Sequence, residues 1–309
     1  MSSAARKPIR YRAITYFDAV RRYGSIREAA RKLGVAASAI NRQLIQFETD
    51  LGMPLFERFA TGMKLTAAGE VFAHHALTVL QDARRATDEL EALRGLRRGE
   101  LSVVTVESLG AAVLPDLLAA MASRYPGIRL TVKSAGSNQI AGIVASGTAD
   151  VGLAFSLGHH PELQQLGSGQ FRLGAIMRPE HPLAREKHVT FPQCAMHPVI
   201  LPTEELSIHT VLLPHLTRFA GKMQVLAEVG SLELMKNLTL KLPAISFQTQ
   251  LGIEAELKSR RLIHVPLQSS GPVTTDLGIY VRRGRTFQAA LDAFVSLVRD
   301  QLTELEKGQ

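Results

Sequence analysis

Ser38, Asn41, Arg42, Gln43 and Gln46 are residues whose types and spacing suit the reading of base pairs. A hydroxyl, short amides and a guanidinium match the donors and acceptors on base edges in a major groove. They share their stretch with Ala36, Ile40, Leu44 and Phe47, apolar residues that recur every third or fourth position. That pattern is a helix with one buried face and one polar face. The element that must position it comes just before. Ser25 and Glu28 have the spacing of a capping box, in which the hydroxyl takes a free backbone N–H and the carboxylate reaches back. Ala29, Ala30 and Leu33 then share one face of a short helix, where the alanines let a second helix cross closely. Gly34 suits the left-handed turn that ends this first helix. Two short helices with a corner between them, the polar one second, predict a helix-turn-helix. Ser25 joins the DNA-binding set at the start of the first helix, and Arg27, Arg58 and Lys64 are expected at phosphates.

Further residues flank this pair: Tyr16, Phe17, Val20 and Gly24 before it, then Phe47-Glu48, Leu51-Gly52, Leu55-Phe56, Leu65-Thr66 and Gly69 after it. In this order, residues 11–70 resemble the DNA-binding domain of LysR-type transcriptional regulators. The resemblance implies a winged helix-turn-helix and double-stranded promoter DNA as partner. It also implies a homodimer, with a homotetramer left open, and contact with RNA polymerase if the protein is an activator. Two positions depart from the family pattern. Ala36 stands where a capping Ser is common, a loss of roughly 1 kcal/mol, and Asn41 stands where Ser is also common. The details of base contact should differ accordingly.

Charge divides the chain. Residues 1–64 hold 12 Lys and Arg against 5 Asp and Glu, and the remainder holds 24 against 23. A basic head on a nearly neutral body implies a nucleic-acid module joined to something else. The single Cys194 excludes an internal disulfide and a multi-cysteine zinc site, as a reducing cytoplasm favours. Arg6, Lys7, Arg10 and Arg12 are not followed by the apolar core of a secretion leader. No apolar run approaches the roughly 20 residues of a membrane span. The expectation is a soluble, cytoplasmic protein with no membrane partner.

In chain order, a basic tail over residues 1–8 leads to a helix from Ile9 to Tyr23 carrying Ile14, Phe17 and Val20 on one face. Gly52 and Pro54 stop the second reader helix. Phe59–Leu65, with Gly62 at its tip, suits a hairpin wing. Thr66 then caps a helix to about Leu93, on the order of 40 Å long. Phe72, Ala76, Val79, Ala83, Ala86, Leu90 and Leu93 alternate at steps of four and three, a heptad seam that predicts pairing of two copies. Arg94–Gly99 reads as a hinge. The expected divisions are residues 1–65 for the head, 66–95 for the dimerisation helix and 96–309 for an effector domain.

From Glu100 the texture becomes β-branched runs alternating with helical segments, an α/β fold with a largely parallel sheet. Strands are expected at Leu101–Val106, Ile128–Lys133, Val151–Phe155, Leu173–Met177, Val199–Leu201, Gln224–Val229, Ala244–Phe247, Ile263–Pro266 and Leu277–Val281. A closing helix runs from Thr286 to Leu305. Two lobes follow, the first at about 100–157 and 268–309, the second at about 158–267. The segments LLAAMASRYPGIRLTV, GTADVGLAF and EHPLA resemble the LysR-type effector domain, which implies a two-lobed architecture like a periplasmic binding protein. Leu240–Phe247 departs from the family's glycine-rich turn, and its bulky side chains should reshape a wall of the cleft.

Ligands of α/β sheets gather at strand carboxyl ends, where helix N-termini present free N–H groups. Three such places are readable: Glu107-Ser108-Leu109, Gly136-Ser137-Asn138 and Thr203-Glu204-Glu205. Phe155-Ser156 and Phe247-Gln248 lie at strand ends that face the same cleft. The predicted effector set is Glu107, Ser108, Leu109, Ser137, Asn138, Phe155, Thr203, Glu204 and Phe247. Ser108, Ser137 and Thr203 also serve equally well as plain helix caps. The resemblance implies a small effector, often a carboxylate; inward-facing Glu107, Glu204 or Glu205 would favour an amino compound instead. His159-His160, His181 and His197 lack acidic companions at ligand spacing, so no metal is expected. No phosphate loop, dinucleotide motif or nucleophile elbow is present, so no cofactor and no catalytic residue are expected. A ligand-responsive DNA-binding regulator leads, ahead of a cytoplasmic solute-binding protein or an enzyme with an appended DNA-binding module.

Overall fold

The computed structural model describes residues 9–93, 99–111, 113–219, 221–284 and 289–307. The basic tail and the Arg94–Arg98 part of the expected hinge lie outside these. The chain divides into two compact units, the first built on residues 1–94 and the second on most of residues 95–309.

The first unit holds α1 (Tyr11–Tyr23), α2 (Ile26–Leu33), α3 (Ala37–Leu51), β1 (Phe56–Phe59), β2 (Gly62–Leu65) and α4 (Ala67–Leu93). Ser25 caps α2 by accepting from the Glu28 N–H, while the Glu28 carboxylate turns to Arg31 at 3.0 Å, so only half of the capping box forms. Gly34 takes the left-handed turn at φ 66°. Ala29 and Ala30 are buried against α1 and α3, but Leu33 is 37% exposed and leaves the predicted face. The wing begins three residues earlier than expected, and Gly62 opens its return strand rather than forming the tip. Glu48 Oε1 anchors the wing by accepting from the N–H of Leu55 (2.7 Å) and Phe56 (3.1 Å). At Gly69, a Cβ would stand 2.1 Å from the Leu55 carbonyl oxygen, so only glycine lets α4 pass this close.

The start of α4 belongs to the core of its own head. Phe72 meets Phe17 edge-on at 4.8 Å and Phe47 at 5.0 Å, and Ala73, Ala76 and Leu80 are buried beside them. This corrects the seam. Phe72 and Ala76 are spent on packing within the chain, because one helical stripe serves an internal core as well as a partner. Val79 (44% exposed), Ala86 and Leu90 (61%) remain uncovered, and Ala83 is half-buried. The Leu93 side chain lies outside the described residues.

The second unit opens with β3 (Gly99–Thr105), α5 (Glu107–Ala111), α6 (Leu114–Arg124), β4 (Ile128–Ser134), α7 (Ser137–Ala145), β5 (Val151–Phe155) and β6 (Leu163–Arg172). The second lobe holds β7 (Gly174–Met177), β8 (Val189–Thr190), α8 (Phe191–Ala195), β9 (Val199–Pro202), α9 (Ser207–Arg218), β10 (Val225–Val229), α10 (Leu232–Lys241), β11 (Ser246–Gln248), α11 (Glu254–Lys258) and β12 (Ile263–Gln268). The chain then returns through β13 (Thr274–Arg282) and α12 (Ala289–Lys307).

The first lobe's sheet has the order β4-β3-β5-β13-β6. Its β3 is parallel to β4 and β5, but β13 is antiparallel to β5 and β6, so the sheet is mixed rather than largely parallel. Because β6 pairs along its length with β13, the crossing to the second lobe lies at Leu173, not near residue 158. The second lobe joins β11-β7-β12-β8 to the parallel pair β10-β9 through a bridge at Val199–Ile245. The two crossings are sewn together: Leu173 N–H donates to the Val273 carbonyl (2.8 Å), and Leu267 N–H to the Leu173 carbonyl (2.9 Å). After β11, Leu251 is buried within the first lobe's core, and Gly252 lies against Ser108.

Candidate nucleic-acid interface and effector cleft

The polar face of α3 forms as its spacing requires. Ile40, Leu44 and Phe47 are buried; Ser38, Arg42 and Gln46 are exposed, and Asn41 and Gln43 are half-buried. Ala36 caps α3 without a side-chain bond, leaving first-turn N–H groups open to an anion. Arg58, expected at a phosphate, donates from Nη2 to Asn41 Oδ1 at 2.7 Å, tying the wing to the reader helix. Gln46 donates to Asp50 Oδ1 at 2.9 Å. Lys64 lies over the Phe59 ring, 5.4 Å from its centre, and Arg27 is exposed. Ser25 is occupied as the α2 cap. Arg21 and Arg22 belong to α1 and share the single Asp18 carboxylate at 2.7 and 2.8 Å, which offsets one of that helix's three positive charges.

Between the lobes of the second unit lies a cleft of about 460 Å³. Glu107, Ser108, Ser137 and Phe155 line it, brought together from three strand ends. Other predicted members do not reach it. Leu109 is buried in the first lobe's core, and Phe247 in the second's, stacked 5.4 Å from Phe191. Adjacent strand residues point to opposite faces, which is why Gln248 lines the cleft where Phe247 does not. Asn138 is exposed, and Gln139 lines the wall in its place; Glu204 is exposed outside the cleft. Thr203 sits behind Glu205 and donates to its carboxylate, which holds the Glu205 carboxyl below its ordinary range. None of Leu240–Phe247 lines the cleft: Ala244, Ile245 and Phe247 are buried in the second lobe, so this stretch does not reshape the wall.

Sequence reasoning missed Ser231, Thr249 and Thr275, all of which line the cleft. Only Ser231 carried a readable sign, standing just before the helical run Leu232–Lys241. Glu107 reaches across to it from the first lobe. Its Oε1 accepts from Ser231 Oγ (3.1 Å), and its Oε2 accepts from the Leu232 N–H (3.0 Å), so it caps α10. Ser137 Oγ accepts from the Phe155 N–H at 3.2 Å. Ser108 and Gln248 are 5% and 4% exposed, yet Ser108 Oγ and Gln248 Oε1 have no hydrogen-bond partner among the described residues. Buried polar atoms of this kind are rare unless a ligand or water completes them. Beneath Gln248, His264 Nε2 lies 3.2 Å from its carbonyl oxygen, and burial pushes the imidazole down to about 4. Among the described residues no group of three or more His, Cys, Asp or Glu can hold a metal, and no helix is long and apolar enough to cross a membrane.

A winged helix-turn-helix followed by a two-lobed α/β domain with a polar, partly unsatisfied cleft defines a ligand-responsive, DNA-binding regulator. Residues 11–70 match the bacterial regulatory helix-turn-helix protein, lysR family, and residues 94–303 match the LysR substrate binding domain. The chain belongs to the LysR family of transcriptional regulators. It is 27% identical over 297 residues to the HTH-type transcriptional regulator CbbR of Rhodospirillum rubrum, covering 94% of this chain and 96% of that protein. It is 25% identical to the RuBisCO operon transcriptional regulator of Allochromatium vinosum, covering 95% and 97%. The fold matches a full-length OxyR variant from Pseudomonas aeruginosa with a TM-score of 0.72 at 15% identity, over 96% of this chain and 95% of that one.

Proposed function

We propose that a small molecule bound between the two lobes switches this regulator at a promoter, and that it acts as a dimer in the cytoplasm. The observation that carries the effector site is the pair of buried polar groups, the Ser108 hydroxyl and Gln248 Oε1, that face one cleft without a partner among the described residues. The dimer reading rests on Val79, Ala86 and Leu90, which form an uncovered apolar stripe along α4. A symmetric pair of heads would then read two half-sites. Ser38, Asn41, Arg42 and Gln43 carry base contacts, while Arg27, Lys64 and the open N-terminus of α3 hold phosphates. An activator would further contact RNA polymerase from the DNA-bound state.

Footprinting on the DNA beside its own gene, with and without candidate metabolites, tests this reading. A protected site with two-fold symmetry whose extent or affinity changes with one metabolite is the expected result. Protection that no cleft substitution and no metabolite alters would remove the effector role while leaving the DNA role standing.

A further inference from the structure

The charges in the cleft narrow the class of molecule it can hold. Glu107 and Glu205 are the only charged side chains among its described lining residues; no Lys, Arg or His accompanies them. Both stand at the turn Gly230–Leu232. Glu107 caps the helix there, and a Cβ on Gly230 would lie 3.6 Å from Glu205 Oε2. A ligand with two or more negative charges would meet these carboxylates with no cation in the same lining to offset them; Lys236, in the adjoining recess that Glu107 also lines, is already paired with Glu233 at 2.6 Å and Glu256 at 3.7 Å. A protonated amine meets opposite charge.

Two further features fix the rest of the ligand. Helices α7 and α9 both open at the cleft with no side-chain cap, so their first-turn N–H groups can take one carboxylate. Ser108 Oγ and Gln248 Oε1 are buried, line the same space and lack partners among the described residues. Gln248 Oε1 only accepts, so a ligand that supplies an N–H donor satisfies it, whereas a purely anionic one leaves it unmet; the Ser108 hydroxyl both donates and accepts and can serve either end of the ligand. The remaining wall is apolar: Val106, Phe155, Leu173, Leu206, Ile208 and Val211. A volume of about 460 Å³ has room for a small molecule with an apolar side chain.

We infer that the cleft takes a zwitterion of the α-amino-acid kind with an apolar side chain, its ammonium toward the two glutamates and its carboxylate at the helix ends. This rests on the reading of the cleft as the effector site. The experiment measures thermal shifts and calorimetric Kd values on the full chain with leucine, methionine and phenylalanine. The comparison ligands are 4-methylpentanoate and 3-phenylpropanoate, which lack the amine, together with succinate and inorganic phosphate. At least one amino acid should stabilise the protein, and its deaminated counterpart should bind at least several-fold more weakly. Glu205→Gln should shrink that preference by roughly fivefold, the size of one partly solvated ion pair. Ser108→Val should weaken binding of the amino acid. Succinate or a deaminated acid binding as well or better, with loss in Ser108→Val, overturns the ligand class and leaves the cleft as the effector site. Binding that Ser108→Val and Glu205→Gln both leave unchanged moves the site elsewhere and overturns both readings. No shift with any of the amino acids overturns the ligand class.

Discussion

Arg58 of the wing donates to Asn41 Oδ1 of the reader helix across 2.7 Å. The bond occupies the Asn41 carbonyl and leaves its amide N–H groups to face an acceptor on a base edge. Arg58 should therefore act on sequence through Asn41, in addition to any phosphate contact. Asn41→Ala and Arg58→Ala should each reduce operator affinity, and the double variant should lose less than the sum, with a coupling of about 0.5–3 kcal/mol. Arg42→Ala, with no such partner among the described residues, should cost roughly 1–3 kcal/mol and relax specificity. Titrating labelled operator with the four proteins measures the coupling; strict additivity would separate the wing from base reading.

The uncovered stripe of α4 gives a second expectation. Val79→Glu should dissociate the dimer, since it places a charge where an apolar partner face is proposed. Phe72→Ala should act differently. It removes a ring packed on Phe17 and Phe47 and should cost on the order of 3–5 kcal/mol of head stability. Sedimentation and thermal melting distinguish the two; a dimer untouched by Val79→Glu would place the pairing surface elsewhere.

Acid should weaken the effector domain through His264. Its imidazole falls from the ordinary 6.5 to about 4 in the fold because it is buried. Above pH 6.5 both folded and unfolded chains carry it neutral, and it contributes no pH dependence. Between 6.5 and about 4 the unfolded chain binds the proton first, so stability falls as pH falls, by on the order of 3 kcal/mol in full. Urea midpoints at pH 7 and pH 5 should differ, and His264→Gln should reduce that difference. An unchanged pH response in the variant would assign it to other groups.

Cys194, the one cysteine of the sequence, should be inert in the folded protein. The thiol is buried, and burial pushes it up to about 12, so almost none is thiolate near neutral pH. Thiolate is the reactive form. Native protein should resist iodoacetamide and hydrogen peroxide at pH 7, with labelling appearing only in denaturant. Mass spectrometry of intact protein reads this directly; rapid labelling of folded chain would contradict it.

The head was legible because its signals are local. Caps, an α-helical period and Gly34 define the reader helices within about 30 residues. The strand Leu163–Arg172 is not legible because its run LQQLGSGQFR lacks a regular polar–apolar alternation and contains two glycines, which lower strand propensity. Its place is fixed by pairing with β13, more than 100 residues away. Cleft residues were half legible for a related reason. Ser108, Ser137 and Gln248 follow from strand ends, whereas Thr249 and Thr275 enter the site only once the crossings are folded. The heptad of α4 was real as a pattern, but a period does not say which surface will cover it.

Leu251 belongs by sequence to the second lobe and by burial to the first. It works as a fixed pin between the halves. A wide clamshell opening would draw it into water, at a cost of about 1.5–3 kcal/mol. A ligand at 100 times its Kd supplies about 2.7 kcal/mol in total. The two are comparable, so most of the binding energy would be consumed by such a motion. The economical response is one that leaves Leu251 seated while the lobes turn about it, so a ligand signal of this kind would be a change of angle rather than of aperture.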